Sequence, residues 1–320
     1  MTIDGKNIQA VWNMCLIKDS FNSLLKYPKR KTVNYTNYAE KDGITPDLRK
    51  FETESRQVSL IFFIRHSSEC EFYSIYDDFF AAINDSGYHT FDFEIGIIYK
   101  FRYDKTQSFK SIRLFNSSGG TSFTIDFIED DAAINGSITS PVGNPILTGW
   151  FMVDGVDFGD FGIHPNGAVG EVLKYPDAKE SFTDGRAYSL STRMIKHKEI
   201  TIPLWMRANS KSDFIHNYQA FYNTFAKPGK RFLYVKELGA STYCYYRDCA
   251  DYRVSWKNTP GAFFSISICI PVATWLSGTT NILRVLTIVP LTIEIVWIFF
   301  PDTKSVFTSS IISLLISDFC

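Results

Sequence analysis

The chain has 320 residues, of which 45% are hydrophobic and 16% aromatic, so it can bury the cores of two domains of ordinary size. A formal net charge of −1, without a long Lys or Arg run, gives no reason to expect a nucleic-acid partner. The six cysteines form no CxxC pair, and the first residues lack a basic and apolar leader, so we expect reduced thiols in a protein made in the cytoplasm.

The first half opens on Ile3-Asp4-Gly5, which is typical of a tight hairpin turn. The tetrapeptide Leu25-Lys26-Tyr27-Pro28 comes next, and its proline favours an extended exit into a loop. The following residues, 29–52, are polar and form the longest irregular segment of this half. We therefore expect this loop to make functional contacts.

A strand and a helix are predicted after the loop. Residues 58–64 (VSLIFFI) predict a buried strand, and the segment after it has the period of an amphipathic helix. Five apolar residues form one stripe on this helix: Phe72, Tyr76, Phe79, Phe80 and Ile83. A stripe at helical spacing is more often core than binding surface.

The second half repeats this pattern. Asp154-Gly155 repeats the opening turn, and Leu173-Lys174-Tyr175-Pro176 repeats the tetrapeptide without a change. Residues 198–206 (KEITIPLWM) predict a strand, and residues 212–226 predict a helix for which Ser210 or Ser212 is the candidate cap. The stripe of this helix lies 142 positions after the first one: Phe214, Tyr218, Phe221, Tyr222 and Phe225. Five matches in register indicate a duplicated unit.

Further strands are predicted after each helix. In the first half they cover residues 91–103, 111–115 and 121–129. The sequence therefore predicts a mainly β (α+β) protein with two tandem antiparallel β-sandwich or barrel modules, each with one inserted helix. The modules cover residues 1–129 and 150–276, and the Gly- and Pro-rich residues 130–149 predict a linker.

The apolar residues 277–320 belong to neither predicted module. The stretch 282–300 is nearly long enough to cross a bilayer, which takes about 20 apolar residues. Arg284, Pro290 and Glu294 interrupt it, and its many β-branched residues suit a strand better than a membrane helix. A strand, a displaced tail, a partial third domain and, less favoured, a membrane segment all stay open.

The sequence contains no recognisable set of catalytic residues. The five histidines show neither HxH nor HExxH spacing, and GxSxG, P-loop and GxGxxG motifs are missing in a strand-to-helix context. Asp154, Asp157 and Asp160 resemble part of a calcium loop, but no Glu stands at its twelfth position, so turn formation explains them better. We therefore expect no enzymatic activity, no metal and no cofactor.

Several segments of the second half occur in a characteristic order. They are VDGVDFGDFGI (153–163), the Asp184-Gly185 turn, KEITIPLWM (198–206), the helix 212–226 with KPGKRFLYV, and FFSISICIPV (263–272). In this order they resemble the N-terminal domain of the distal tail protein of siphophages, and residues 1–129 share the resemblance more weakly. The resemblance implies a β-barrel or sandwich flanked by one helix, related to tail-tube proteins.

This resemblance implies a non-enzymatic component of a phage or prophage tail, of the distal tail or baseplate hub type. Such a protein is made in the host cytoplasm and resides in the virion tail, where it forms a ring with copies of itself and contacts other tail tube and tail tip proteins. With two modules per chain, three or six chains would complete the ring. Nucleic acid would only pass through the ring, and no membrane contact is expected.

Subunit contacts are expected in the loops 29–52 and 177–193. The charged residues proposed for them are Lys29, Arg30, Lys31, Arg186 and Arg193. The alternative function is a carbohydrate- or surface-binding β-module protein, held at a membrane by its C-terminal tail. That alternative requires exposed, coplanar aromatic rings, for which Trp150, Trp205 and Trp256 are the candidates.

Overall fold

The computed structural model describes residues 1–277 except positions 40, 86, 114–118, 133–137, 139, 144–149, 167–171, 173, 180–193, 237–238, 257–258 and 273–275. The first half contains, in chain order, β1 (Thr2–Ile3), β2 (Lys6–Asn7), α1 (Ile8–Trp12), β3 (Met14–Leu16), α2 (Ser20–Leu24), β4 (Tyr35–Thr36), β5 (Thr45–Pro46), β6 (Arg56–His66), α3 (Glu69–Ile83), β7 (His89–Asp92), β8 (Ile98–Arg113) and β9 (Gly119–Glu129). 

The second half contains, in chain order, β10 (Phe151–Val153), β11 (Val156–Asp157), a short 3-10 helix (Phe158–Phe161), β12 (Ile163–Pro165), β13 (Lys198–Arg207), α4 (Lys211–Phe225), β14 (Arg231–Val235), β15 (Ala240–Ser255), β16 (Gly261–Ile270) and β17 (Leu276–Ser277). The predicted strand 198–206 and helix 212–226 are thus confirmed to within one residue.

Each half forms one large sheet, and the two sheets have the same strand order. The first sheet runs β2-β1-β7-β8-β9-β6-β3, and the second runs β11-β10-β14-β15-β16-β13-β12 with β17 added beside β15. The prediction of a mainly β, antiparallel fold is confirmed. Both sheets are open at two ends in the described part of the chain, so the closed barrel allowed by the sequence is not formed.

The strand register repeats together with the strand order. Leu60 pairs with Ile125 in the first sheet, and Ile202, 142 positions after Leu60, pairs with Ile266 in the second. Every second residue along most of β6 and β13 is buried, as expected for a strand with one face toward the core. Buried residues of both sheets belong to one hydrophobic core, and residues 1–278 form one compact unit.

The opening turns explain how each sheet begins. Asp4 and Gly5 have φ values of 49° and 77°, and Asp154 and Gly155 have 49° and 86°. Two consecutive positive φ values are what a two-residue type I′ hairpin turn needs, and only residues such as Asp, Asn and Gly adopt them readily. Each aspartate also accepts a hydrogen bond from a neighbouring strand, from the amide of Thr90 in the first sheet.

Both long helices begin at a serine cap. The hydroxyl of Ser68 accepts a hydrogen bond from the amide of Glu71, and that of Ser210 accepts one from the amide of Asp213. Of the two serines proposed for α4, Ser210 is therefore the cap. The aromatic stripe of α4 is fully buried, whereas two residues of the α3 stripe, Tyr76 and Phe80, are only half-buried.

The strand prediction after α3 is wrong in one place. The segment 91–103 was expected to be one strand, but β7 ends at Asp92 and β8 begins at Ile98. Glu94 and Gly96 between them have positive φ, which breaks the ladder. The predicted strand 111–115 begins inside β8, which extends without interruption to Arg113.

Part of the predicted linker contacts helix α4. The side chain of Asn217 donates to the carbonyl of Val142 at 3.0 Å and accepts from its amide at 2.7 Å. Asn223 donates to the carbonyl of Ile138 at 2.7 Å. The described residues of this segment therefore have defined contacts with the second half.

Candidate interaction surface

The tetrapeptide Leu25-Lys26-Tyr27-Pro28 joins the first half to the second. The ring of Tyr27 stacks on Tyr218 and on Tyr222 of α4, with centroid distances of 4.1 Å and interplanar angles of 9° and 15°. Its hydroxyl donates to the backbone carbonyl of Tyr218. Tyr27 is only 5% exposed, because the second half covers it.

Backbone carbonyls of the tetrapeptide accept hydrogen bonds from the second half. The hydroxyl of Tyr218 donates to the carbonyl of Leu25, and that of Tyr246 donates to the carbonyl of Pro28 at 2.9 Å. We use the name tyrosine cluster for the five buried tyrosines at this contact: Tyr27, Tyr218, Tyr222, Tyr246 and Tyr252. Burial raises the pKa of each of them well above 10, so their hydroxyls are neutral at ordinary pH.

The buried ion pair between Arg56 and Glu129 holds the tetrapeptide segment against the first sheet. Arg56 Nε lies 2.5 Å from Glu129 Oε2, and its remaining nitrogens donate to the carbonyls of Leu24 and Lys26. Burial raises the pKa of Glu129, although Arg56 acts against this shift. The pair therefore links the first sheet to the segment that carries Tyr27.

The loop 29–52 lies against the second half as well. The amide of Gly43 donates to the carbonyl of Ile195, and that of Ile44 donates to the carbonyl of Pro271 at 2.9 Å. Gly43 has φ +67°, and a Cβ at this position would lie 1.8 Å from the carbonyl oxygen of Pro271. Only glycine allows this close approach. A small separate core also forms here from Val33, Ile44, Leu48, Tyr245 and Cys269.

The charged residues proposed for subunit contacts have different surroundings. Arg30 is buried within the chain, where its guanidinium lies 5.0 Å from the ring of Phe51 and donates to the carbonyl of Lys50. Lys29 and Lys31 are half-exposed and form ion pairs with Glu54 and Glu52 at 3.0 and 3.3 Å. Arg186 and Arg193 lie outside the described residues.

The structure brings together one group of residue types that bind metals. Atoms of His197, Glu199 and Cys269 lie within 4.8 Å of one another. Burial raises the pKa of the Cys269 thiol to about 11, so the thiolate that zinc requires is disfavoured. Glu199 also lies 3.4 Å from Arg247. Sequence spacing could not reveal this group, since the pairing of β13 with β16 brings together residues about 70 positions apart.

The tryptophans of the alternative function are all half-buried. Trp256 packs edge-on against Phe214 with a centroid distance of 5.4 Å, and Trp205 stacks on Phe263 at 6.1 Å. Trp150 contacts His164.

Among the residues that the structure describes, no helix combines the length and the apolarity that crossing a bilayer requires. The apolar stretch 282–300 lies outside them.

The five cysteines among the described residues are free.

Comparison with known proteins assigns no family. No protein-family model matches the sequence, and no curated protein matches it significantly.

Proposed function

We propose that this chain is a structural component of a phage or prophage tail, of the distal tail or baseplate hub type, and that it self-assembles into a ring joining the tail tube to the tail tip. In this proposal, residues 1–129 and 150–276 are two tandem tail-tube-like modules. No catalytic activity is required, because the function is to present fixed surfaces to neighbouring chains and tail proteins.

The repeated sheet is the observation that supports this proposal most strongly. The same seven-strand order, the same register and the same capped helix occur in both halves. A duplicated scaffold of this kind suits a ring, in which similar units meet neighbours through similar surfaces. Among the segments quoted for the siphophage resemblance, residues 198–206, 212–226 and 263–272 coincide closely with β13, α4 and β16, and the Asp184-Gly185 turn lies outside the described residues.

The open sheets give a physical reason for assembly. Each sheet ends in a short strand on both sides, β2 and β3 in the first and β11 and β12 in the second. Exposed sheet edges favour pairing with other chains, and lateral contacts within a closed ring would cover them. The short length of these edge strands also limits uncontrolled pairing before assembly.

The test is the solution mass of the full chain by light scattering, with negative-stain images of the same fraction. The proposal predicts closed rings with three or six times the chain mass of 36.6 kDa. A monomer at micromolar concentration would contradict it. Labelling purified virions with an antibody against the chain would then test whether rings lie at the end of the tail nearest the host.

A further inference from the structure

We infer that Tyr175 of one copy packs on the aromatic face of α3 in a second copy, at the position equivalent to the one that Tyr27 occupies on α4 within one chain. The inference rests on the proposed function, because it identifies the contact through which the chains of the ring would join. It follows from comparing the two identical tetrapeptides, one covered and the other not.

The segment that carries Tyr175 is held to its own sheet as the segment of Tyr27 is. Lys198, at the position equivalent to Arg56, donates to the carbonyls of Val172 and Lys174. Arg56 donates to the equivalent carbonyls, two residues apart, in the first half. A buried cation therefore fixes both segments at the same place beside their sheets.

The residues after each tyrosine are also held alike. The amide of Lys179 donates to the carbonyl of Met194 at 2.8 Å, and the amide of Lys196 donates to that of Asp177 at 2.7 Å. In the first half, the bonds Lys31 to Glu52 and Glu54 to Lys29 have the same pattern. Each half also has one isolated β-bridge at the equivalent place, which pairs Arg30 with Thr53 in the first half and Ala178 with Ile195 in the second. The two chain paths are thus equivalent.

The exposure of the two tyrosines is nevertheless opposite. Tyr27 is 5% exposed and Tyr175 is 78% exposed. Because the segments are held in the same way, the difference arises from what covers them. Tyr27 has the second half as its neighbour, and Tyr175 has no equivalent neighbour among the described residues of its own chain.

The first half presents the matching surface, also uncovered. The helix offset of 142 and the strand pairing define four equivalences: Tyr73 with Ile215, Tyr76 with Tyr218, Phe80 with Tyr222, and Tyr103 with Tyr246. Tyr252 lies in the β-bulge between Ala250 and Arg253, and it corresponds to Phe109 because its ring contacts Phe264 as that of Phe109 contacts Phe123. The second-half members contact or surround Tyr27 and are at most 7% exposed. In the first half, Tyr73 and Phe109 are 59% and 52% exposed, and the other three are half-buried.

This surface, which we call the α3 face, has the chemistry that the contact needs. Tyr76 and Phe80 contact each other with ring centroids 4.5 Å apart and planes inclined at 39°, so together they form one aromatic surface on which a third ring can pack from outside. Tyr103 supplies a hydroxyl where Tyr246 donates to the carbonyl of Pro28, so it can donate to the carbonyl of Pro176 in a neighbour. Both features of the contact at Tyr27, the ring packing and the hydroxyl-to-carbonyl hydrogen bond, therefore have an equivalent on the α3 face.

Charge also favours the contact between copies. Lys26 and Gln219 line the same small cavity beside Tyr27. Their equivalents are Lys174 and Asp77, both exposed and opposite in charge. The contact between copies thus brings the cation of Lys174 near the carboxylate of Asp77, whereas the contact within the chain brings Lys26 near the neutral amide of Gln219. The opposite charges favour association of separate chains.

The contact is heterologous, since each copy has one Tyr175 and one α3 face. Copies therefore join head to tail, and the contact within a chain alternates with the contact between chains. Such an arrangement gives a ring when the rotation between units closes and a filament when it does not.

Two variants of the full chain and one control test this inference. Tyr175→Ala removes the inserted ring, and Tyr73→Lys combined with Phe109→Ser removes the α3 face. Each is expected to raise the concentration for half-assembly about tenfold or more, since buried aromatic anchors dominate interfaces. Tyr243→Ala, which truncates an exposed tyrosine outside the contact, should leave it unchanged. Circular dichroism confirms that each variant is folded.

Mixing the two variants gives the sharper result. The first keeps only the α3 face and the second keeps only Tyr175, so the mixture should form one-to-one dimers and no larger species in sedimentation velocity. If Tyr175→Ala assembles like the unmodified chain, this inference is overturned and the ring proposal stands. If the unmodified chain is monomeric, both are overturned.

Discussion

Replacing Tyr27 with alanine tests the joint between the two halves most directly. Truncating a fully buried aromatic residue costs about 3–5 kcal/mol of unfolding free energy. This total contains the two ring stacks, each worth about 0.5–1.5 kcal/mol, and the hydroxyl bond to the Tyr218 carbonyl, worth about 1 kcal/mol. Since domains are stable by only about 5–15 kcal/mol, such a loss is large.

Tyr175→Ala is the matched control, because it makes the same change in an identical tetrapeptide. Tyr175 is highly exposed, so the expected loss is within about 0.5 kcal/mol. Tyr27→Phe keeps the stacked ring and removes only the hydroxyl, so it should cost about 1 kcal/mol.

Urea unfolding followed by circular dichroism measures these differences, at a protein concentration where every variant is monomeric. The expected order of stability is Tyr175→Ala, then Tyr27→Phe, then Tyr27→Ala. Equal losses for the two alanine variants would refute the reasoning, because the tetrapeptide of the first half would then contribute nothing specific to the joint.

Three further predictions concern the same region. Glu129→Ala leaves Arg56 buried without its carboxylate and should cost about 3–5 kcal/mol in urea unfolding, whereas replacing both residues with apolar ones should cost less than the single change. Ser210→Ala should cost about 1 kcal/mol and Ser212→Ala less than 0.5 kcal/mol, and the reverse order would show that the cap is misassigned. Because the folded pKa values of the tyrosine cluster lie above those of the unfolded chain, their contribution is complete below about pH 10 and is lost as the pH rises further. The free energy of unfolding, measured in urea up to pH 11, should fall by about 1.4 kcal/mol per pH unit for each such tyrosine, and Tyr27→Phe should remove one of these contributions.

Much of the fold could be predicted from the sequence, because it depends on local periodicity. The 142-residue offset located both helices, and the alternation in residues 198–206 located the central strand of the second sheet. The break at residues 93–97 was missed, since the apolar pattern continues across a turn set by backbone conformation. Periodicity reports which face is buried and does not report a turn of this kind.

The joint between the halves could not be predicted in the same way. Tyr27 and Tyr175 stand in identical tetrapeptides and differ completely in exposure. Arg30 is buried against Phe51, a contact that its position in a basic cluster did not indicate, and its role between subunits stays a prediction. Burial of these residues is decided by partners about 190 or more positions away, or across a loop, and a local pattern carries no information about such partners.

The distance along the chain between Tyr27 and its partners has a consequence for biosynthesis. Tyr27 and Tyr218 are 191 residues apart, so the first half leaves the ribosome well before α4 has been made. During that interval the side chain that later joins the halves has no partner. Contacts between residues so far apart form slowly, and uncovered apolar surface favours aggregation. The growing chain therefore passes through a stage in which the apolar surface around Tyr27 is uncovered, and this stage ends only when α4 has been made and packs against it.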